Sequence, residues 1–392
     1  MKVHARSNGA TAAWEAASQD ELRYAIVHDW LPVMGGAELV LQEICELFPG
    51  PVYTSQCRHD LFPWLQEREV HTSYVQHLPW ALSKHYIYAP LMPAIYSGMD
   101  LSDADVVIVG SHSFGHHAKG RPDAVTVCYY HTTARSLWHP EIDNRASSGH
   151  LAWARKMLAP KLKTLDLEAS HNPDYIIANS LTTADRIRND YGREVDQVIY
   201  PPVFTEKWKD VERKRTDGSL LIWGRLVPYK RIDLAIEAVR LTGDHLHVVG
   251  AGNMEANLRN RAEGMPNVEF HGRLPEADLK QLMSRCRAVL FPGYEDFGIV
   301  PVEAMAAGIP VIAFAAGGAS ESVGKNGTLF DRQDAFALAE AIGHLKQREF
   351  SVAELRARAA QFDVTVFRRR FNTAVALAVN QKRQKLQRSL AA

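Results

Sequence analysis

Glu295 and Glu303 stand with seven residues between them in Gly293-Tyr-Glu-Asp-Phe-Gly-Ile-Val-Pro-Val-Glu-Ala-Met-Ala-Ala-Gly308. Gly298 precedes Val300-Pro301 and an apolar-periodic run, which predicts a helix beginning near Pro301. The amides of Gly298, Ile299 and Val300 are then free donors. Free amides and aligned peptide dipoles at a helix start bind anions, and a diphosphate fits there without a metal ion. Gly298 lets the backbone come close to such a ligand. Glu303, expected in about the first turn, can accept from vicinal hydroxyls such as those of a ribose, and Glu295 from the hydroxyls of a sugar ring. Taken singly, Glu303 reads as a complement to the helix dipole and Glu295 as a solvated loop acid. Their combination with the glycine turn favours a binding site.

Upstream, Gly224-Arg-Leu-Val-Pro-Tyr-Lys-Arg231 follows the strand-like Ser219-Leu-Leu-Ile-Trp223 and precedes the helical pattern of Ile232-Asp-Leu-Ala-Ile-Glu-Ala-Val239. Lys230 and Arg231 therefore fall at a helix start, where cations oppose the macrodipole at ~0.3–1 kcal/mol each unless an anion arrives. Arg225 joins Lys230 on that anion, and a guanidinium fork with an ammonium suits a departing diphosphate. A solvated basic loop is the plainer reading.

Gly224-Arg225 with Lys230, Glu295 to Glu303, and Gly35-Gly36 resemble the retaining GT-B glycosyltransferases of family four, over roughly residues 23 to 380. The first half also resembles bacterial polysaccharide mannosyltransferases. The resemblance implies two Rossmann-like α/β domains facing across a cleft, with a C-terminal helix crossing back to the first. It implies that Arg225 and Lys230 hold the diphosphate, Glu303 the ribose, Glu295 the transferred sugar, and Gly35 and Gly36 the phosphates from across the cleft. Gly224 and the Phe297, Gly298, Ile299 and Val300 segment complete the implied donor site. His131 is the histidine implied to touch the donor sugar and, with Arg225, Lys230 and Glu295, to serve catalysis. After His131-Thr132 the mannosyltransferases carry a proline and a methionine, where this chain has Thr133 and Ala134.

The elements that must position these residues alternate. Tyr24-Ala-Ile-Val-His28, Val106–Val109, Val125–Tyr130 and Tyr175–Ala178 read as strands, with Val40–Leu47 as a helix. A second series runs through Leu220–Trp223, His247–Val249, Val268–Phe270, Ala288–Phe291 and Val311–Phe314. Between them Thr205 to Gly218 is charged and lacks apolar periodicity, so the boundary is placed there. The expected organisation is a loose tail over residues 1–22, an acceptor domain over 23–204, a donor domain over 205–365 and a returning helix over 366–392.

Ligands of open α/β sheets sit at the carboxyl ends of strands. Gly35-Gly36, Ser111-His112, His131 and Asn179-Ser180 pass that test in the first series; Gly224, Gly250–Gly252 and Tyr294–Gly298 pass it in the second. His112 is a candidate for the acceptor on this ground alone, while His116 and His117 read as loop residues. Asp103-Ala-Asp105 has the Asp-x-Asp pattern of metal-dependent transferases but precedes its strand. No metal site and no cofactor are expected. Gly250-Ala-Gly252 lacks the third glycine of a dinucleotide fingerprint, with Glu255 in its place, which argues against a dehydrogenase.

Lys plus Arg and Asp plus Glu are each 45 in 392 residues, so overall charge indicates no nucleic-acid partner. The four cysteines show no Cys-x-x-Cys spacing and the first 22 residues lack a signal-peptide core, which predicts a cytoplasmic chain. The run Ile299–Ala319 has a membrane-spanning length, but Glu303, Pro301, Pro310 and its glycines argue against a span. Leu78–Tyr96 is aromatic and proline-rich; it suits an acceptor wall, a bilayer interface or a packed connection. Basic Trp153–Lys163 and Lys382–Arg388 suit peripheral contact with the inner face of a plasma membrane. The expected partners are a nucleotide-sugar donor and a glycan or lipid-linked acceptor, the preferred donor being GDP-mannose. A UDP-sugar donor, a nucleotide-sugar 2-epimerase and a non-catalytic nucleotide-sugar sensor stand as alternatives. Oligomeric state is not legible.

Overall fold

Runs of apolar, largely β-branched residues bounded by turn formers make strands buried on both faces. The computed structural model describes residues 21–140, 152–214 and 217–391, and in it such runs build two wholly parallel sheets. The expected tail lies, but for its last two residues, outside the described residues. The chain divides into two units: unit 1 takes residues up to Asn179, Thr183–Ile199 and Arg368 onward, and unit 2 takes Ser180–Thr182 and Tyr200–Phe367.

Unit 1 carries β1 (Tyr24–His28), β2 (Val52–Thr54), β3 (Val70–Thr72), β4 (Val106–Ser111), β5 (Val125–Tyr130), β6 (Tyr175–Ala178) and β7 (Gln197–Val198) in the order β3-β2-β1-β4-β5-β6-β7. Unit 2 carries β8 (Leu220–Trp223), β9 (Leu246–Val249), β10 (Val268–Gly272), β11 (Ala288–Phe291), β12 (Val311–Phe314) and β13 (Thr328–Phe330) in the order β10-β9-β8-β11-β12-β13. In each sheet the strand order reverses once, between β1 and β4 and between β8 and β11. That reversal opens a crevice at the carboxyl ends, the usual ligand position in open α/β sheets.

Helices that bear on the sites are α1 (Gly36–Leu47), α2 (Ile232–Thr242), α3 (Ile299–Ala306), α4 (Ala335–Leu345) and α5 (Val364–Ala391). On one face of the unit 2 sheet, Leu220, Ile222, Leu246 and Val248 pack against Ile236 and Val239 of α2 and Leu338 and Ile342 of α4. On the other, Leu221, Val289 and Val311 pack against Val302 and Met305 of α3. Complete burial of such side chains stabilises by about 1.5–3 kcal/mol each.

The charged Thr205–Gly218 stretch belongs to unit 2, whose division from unit 1 falls at Ile199/Tyr200. Trp208 and Val211 bury into the core beside Met305, and Thr205 Oγ1 donates to Asp363 Oδ2 at 2.5 Å. Two apolar residues in a charged run set no period, yet they suffice to dock it. Helix α5 begins at Val364, and its residues from Arg368 cluster with unit 1. There Phe371 packs on Phe48 and Tyr129, Arg368 pairs with Glu43, and Lys382 Nζ donates to Asp174 Oδ1 at 2.9 Å. None of the described helices is long and apolar enough to cross a membrane.

Candidate functional site

In unit 2 the expected donor residues converge on the crevice between β8 and β11. Strand β8 ends at Trp223, and Gly224 lies so close to Lys230 that a Cβ there would sit 3.8 Å from Nζ. The Lys230 ammonium pairs with Glu295 Oε1 and stands 5.4 Å from the centroid of the Phe291 ring at the end of β11. That ring also touches the position a Gly298 Cβ would take, at 2.8 Å. Lys230 and Gly298 therefore share one aromatic floor. Arg225 is exposed, and its guanidinium donates to the hydroxyl of Tyr229 at 2.7 Å, the residue whose ring centroid lies 5.9 Å from Lys230 Nζ.

Helix α3 begins at Ile299, two residues before Pro301, with Gly298 as its N-cap at φ 81°, ψ 91°. No side chain caps it, so the first amides lack intrahelical acceptors and remain available to a ligand. The earlier start places Glu303 beyond the first turn, contrary to the expectation. Burial raises the Glu303 carboxyl to about 7, against the pull of Lys207, the Trp223 and Trp208 indoles and Lys230. The Trp208 Nε1 is buried without completing a hydrogen bond, so its pull acts through proximity. Phe297 turns its ring into the core against Tyr200 and Phe362, which leaves only its backbone for a ligand. Ile299 and Val300 are half-buried against the same core.

The loop bearing Glu295 is held by main chain on both sides. A Cβ on Gly293 would lie 2.7 Å from the Tyr229 carbonyl oxygen, and one on Gly317 2.4 Å from that of Glu295. The Gly318 amide donates to the Glu295 carbonyl at 2.9 Å. Arg231 departs from its expected role. It adopts the left-handed conformation (φ 51°) as N-cap of α2, and its guanidinium is engaged by Asp233 and Gln333.

In unit 1, Gly35, Gly36, His112 and His131 gather at the carboxyl ends of β1, β4 and β5. Gly35 is the N-cap of α1, and a Cβ on it would meet Glu38 Oε2 at 3.1 Å. The Glu38 carboxylate thus lies against the turn expected to take phosphate, and it faces His28 Nε2 at 3.9 Å. Asp29 accepts from the amides of His112, Ser113 and Phe114 at 2.7, 2.8 and 2.9 Å, which fixes the loop after β4. The His131 ring is buried edge-on to His28 and Tyr129, with Nε2 unpaired. Burial, with His28 and His112 adding to it, drives its pKa well below the usual histidine range, so the ring is neutral at pH 7. Thr132 and Thr133 are held by Arg186 and Asp190 at 2.9 and 2.6 Å.

His28, Asp29 and Glu38 escaped the sequence reading because adjacent strands, not local spacing, bring them to His112 and His131. Three groups able to hold a metal ion exist among the described residues: His28, Glu38 and His112; His116, His117 and Asp166; and His245, His247 and Glu269. The second is closed, since Asp166 also accepts from Trp138 Nε1 at 2.7 Å and the Tyr191 hydroxyl at 2.9 Å. Asp105 of the Asp-x-Asp pattern is taken up by Arg23 and Arg121.

Residues 34–207 match the family described as Glycosyltransferase Family 4, and residues 204–362 the family described as Glycosyl transferases group 1. The O-antigen chain mannosyltransferase C of Escherichia coli is 25% identical over 244 residues, 59% of this chain and 62% of that protein. A GDP-mannose-dependent alpha-(1-6)-phosphatidylinositol monomannoside mannosyltransferase of Mycolicibacterium smegmatis is 34% identical over 140 residues, 31% of this chain and 36% of that one. The match thus covers less than two thirds of the length of these relatives. Among solved structures, Anabaena Alr3699/HepE in complex with UDP is 21% identical with a TM-score of 0.67, covering 90% of this chain and 99% of that one. A sucrose-phosphate synthase from Thermosynechococcus elongatus has a TM-score of 0.61 at 17% identity, covering 94% of this chain and 100% of that one. These likenesses give the GT-B fold.

Proposed function

We propose that this chain, which belongs to the GT-B glycosyltransferases carrying a family 4 and a group 1 domain, moves a hexose from a nucleotide sugar onto a glycan with retention of configuration. The observation that carries the reading is the Phe291 floor shared by Lys230 and Gly298 at the strand reversal of unit 2, with Glu295 paired to Lys230.

The α3 amides, the Lys230 ammonium and the Arg225 guanidinium stabilise charge gathering on the leaving diphosphate. Groups fixed in advance at developing charge usually supply the largest share of catalysis. No metal ion is needed there, because protein cations and main-chain donors do this work. Lys230 is paired with Glu295, so a diphosphate exchanges one anionic partner for another and frees Glu295 for sugar hydroxyls. Glu303, half-buried and about half ionised at pH 7, takes the ribose diol. His131, uncharged, hydrogen-bonds the sugar without adding positive charge against the diphosphate's cations, and Gly35, Gly36 and His112 serve the phosphate and the acceptor.

GDP-mannose is the preferred donor, on the relatives named as mannosyltransferases. A second reading, a UDP-sugar, is favoured by solved relatives of like fold that hold UDP or UDP-glucose. The acceptor in this reading is a lipid-linked glycan of surface-polysaccharide assembly. Exposed Trp80 and Tyr86, with Lys84 over the Trp80 ring, support peripheral membrane contact. A thermal-shift panel of GDP-, UDP-, ADP- and dTDP-sugars tests the donor, because selective binding raises apparent stability. GDP-mannose is expected to give the largest shift, and a shift confined to UDP-sugars selects the second reading. Product analysis separates transfer from epimerisation, which needs no acceptor, and from sensing, which yields no product.

A further inference from the structure

Strand β10 forms an edge of the unit 2 sheet, paired only with β9. Alternation sends Leu246 and Val248 of β9, with Val268 and Phe270 of β10, into one core. The side chains between them, His247, Glu269 and His271, must then share the opposite face. Register sets His247 directly beside Glu269, and His245 enters the group from just before β9.

The polar atoms of this group nearly touch. His247 Nδ1 lies 3.3 Å from Glu269 Oε2 and 3.0 Å from His271 Nε2. Both His245 Nε2 and His271 Nε2 lie 3.7 Å from that same carboxylate oxygen. Ligand arms of about 2.0–2.1 Å in a tetrahedral zinc site put neighbouring donor atoms ~3.3 Å apart, and these separations scatter around that value. His245 Nε2 is buried and has no hydrogen-bond partner, so a donor atom turned into the group is left unused. His247 is buried, whereas Glu269 is exposed and His245 partly so, which gives a rigid base with an open side for an ion to enter.

We infer that His245, His247 and Glu269, with His271 beside them, form a binding site for a divalent transition-metal ion of the zinc class. Imidazole nitrogen with carboxylate oxygen is the donor set such ions prefer, and magnesium or calcium would select oxygen ligands instead. The site lies on the β9–β10 edge, apart from the donor crevice between β8 and β11, so the ion has no part in the proposed transfer. It ties the edge strand to its neighbour next to the irregular register between Phe270 and Gly272.

The test uses the full, untagged chain, freed of metal with a chelator and titrated with zinc chloride against a chromogenic competitor. One equivalent of zinc should bind, with at least tenfold weaker affinity in the pair His245→Asn and Glu269→Gln, whose side chains are partly exposed and tolerate replacement. His271→Gln, a single change, should weaken binding in the same direction. His112→Asn, in the first imidazole group of unit 1, should leave it unchanged. Cobalt substituted for zinc should give the intense visible absorption of a four-coordinate ion. Failure of the wild-type chain to compete for zinc, or equal affinity in the paired variant, overturns the site. Loss of zinc in His112→Asn alone moves it to unit 1 and equally refutes the inference.

Discussion

Replacing Glu303 by Gln removes a charge from a place that disfavours it, and the consequence depends on pH in a defined direction. Burial lifts the carboxyl from its usual 4.5 to about 7. The folded chain therefore holds a proton more tightly than the unfolded chain. Folding pays little for Glu303 below pH 4.5, and stability is lost as pH rises from there through 7. Linkage with these two values gives ~0.8 kcal/mol of cost at pH 5 and ~3 kcal/mol at pH 8.5, upper figures because the carboxyl keeps some solvent contact. Glutamine has nearly the same shape and does not titrate, so it should gain relative to the parent by up to ~2.5 kcal/mol between those pH values. With about 2–4 °C per kcal/mol for a unit of this size, the Tm difference should widen by roughly 5–10 °C. Thermal unfolding of both proteins at pH 5 and pH 8.5 measures it. A difference that stays constant with pH would show that Lys207, Lys230 and the two indoles fully compensate the burial, and the reasoning would fail. The same variant should bind donor more weakly at pH 8.5, measured by titration calorimetry, since an amide cannot replace the carboxylate on a ribose diol, and the deficit should shrink at pH 5, where the parent carboxyl is protonated.

Lys230→Ala should lower kcat/KM by two to three orders of magnitude, from ~2.7–4 kcal/mol of lost transition-state stabilisation, while the far-ultraviolet dichroism stays unchanged; near-parental turnover would remove Lys230 from the chemistry. Gly298→Ala should destabilise unit 2 by about 1–3 kcal/mol in urea unfolding, because φ is 81° and the new methyl meets Phe291 at 2.8 Å. Asp166→Asn should cost unit 1 about 3–5 kcal/mol, since the buried carboxylate serves His116, His117, Trp138 and Tyr191 together, and a loss below 1 kcal/mol would refute that account.

The long central strands were legible because uninterrupted apolar runs such as Val125–Tyr130 have no other stable use. Strands β2, β3, β7 and β13 were not, since two or three residues set no period and sheet neighbours supply their pairing. In the donor crevice, the spacing of Glu295 and Glu303 around Gly298 pointed to the right loop and helix. The partners of Glu303 were hidden, because Trp208 sits in a charged stretch that gives no sign of docking. Lys230 and Arg231 look alike in sequence, yet a left-handed Arg231 is tied to Asp233 while its neighbour turns to Glu295. The imidazoles of His28, His112 and His131 meet only once β1, β4 and β5 lie side by side.

The close main-chain stacking at Gly293 and Gly317 bears on any effort to retune sugar preference. A library randomising the whole 293–298 segment would be dominated by collapsed clones, because even a methyl at 293 collides with the neighbouring turn. Diversity is better spent on Tyr294 and Asp296, whose side chains retain solvent contact while Glu295 and the scaffold beneath it stay untouched.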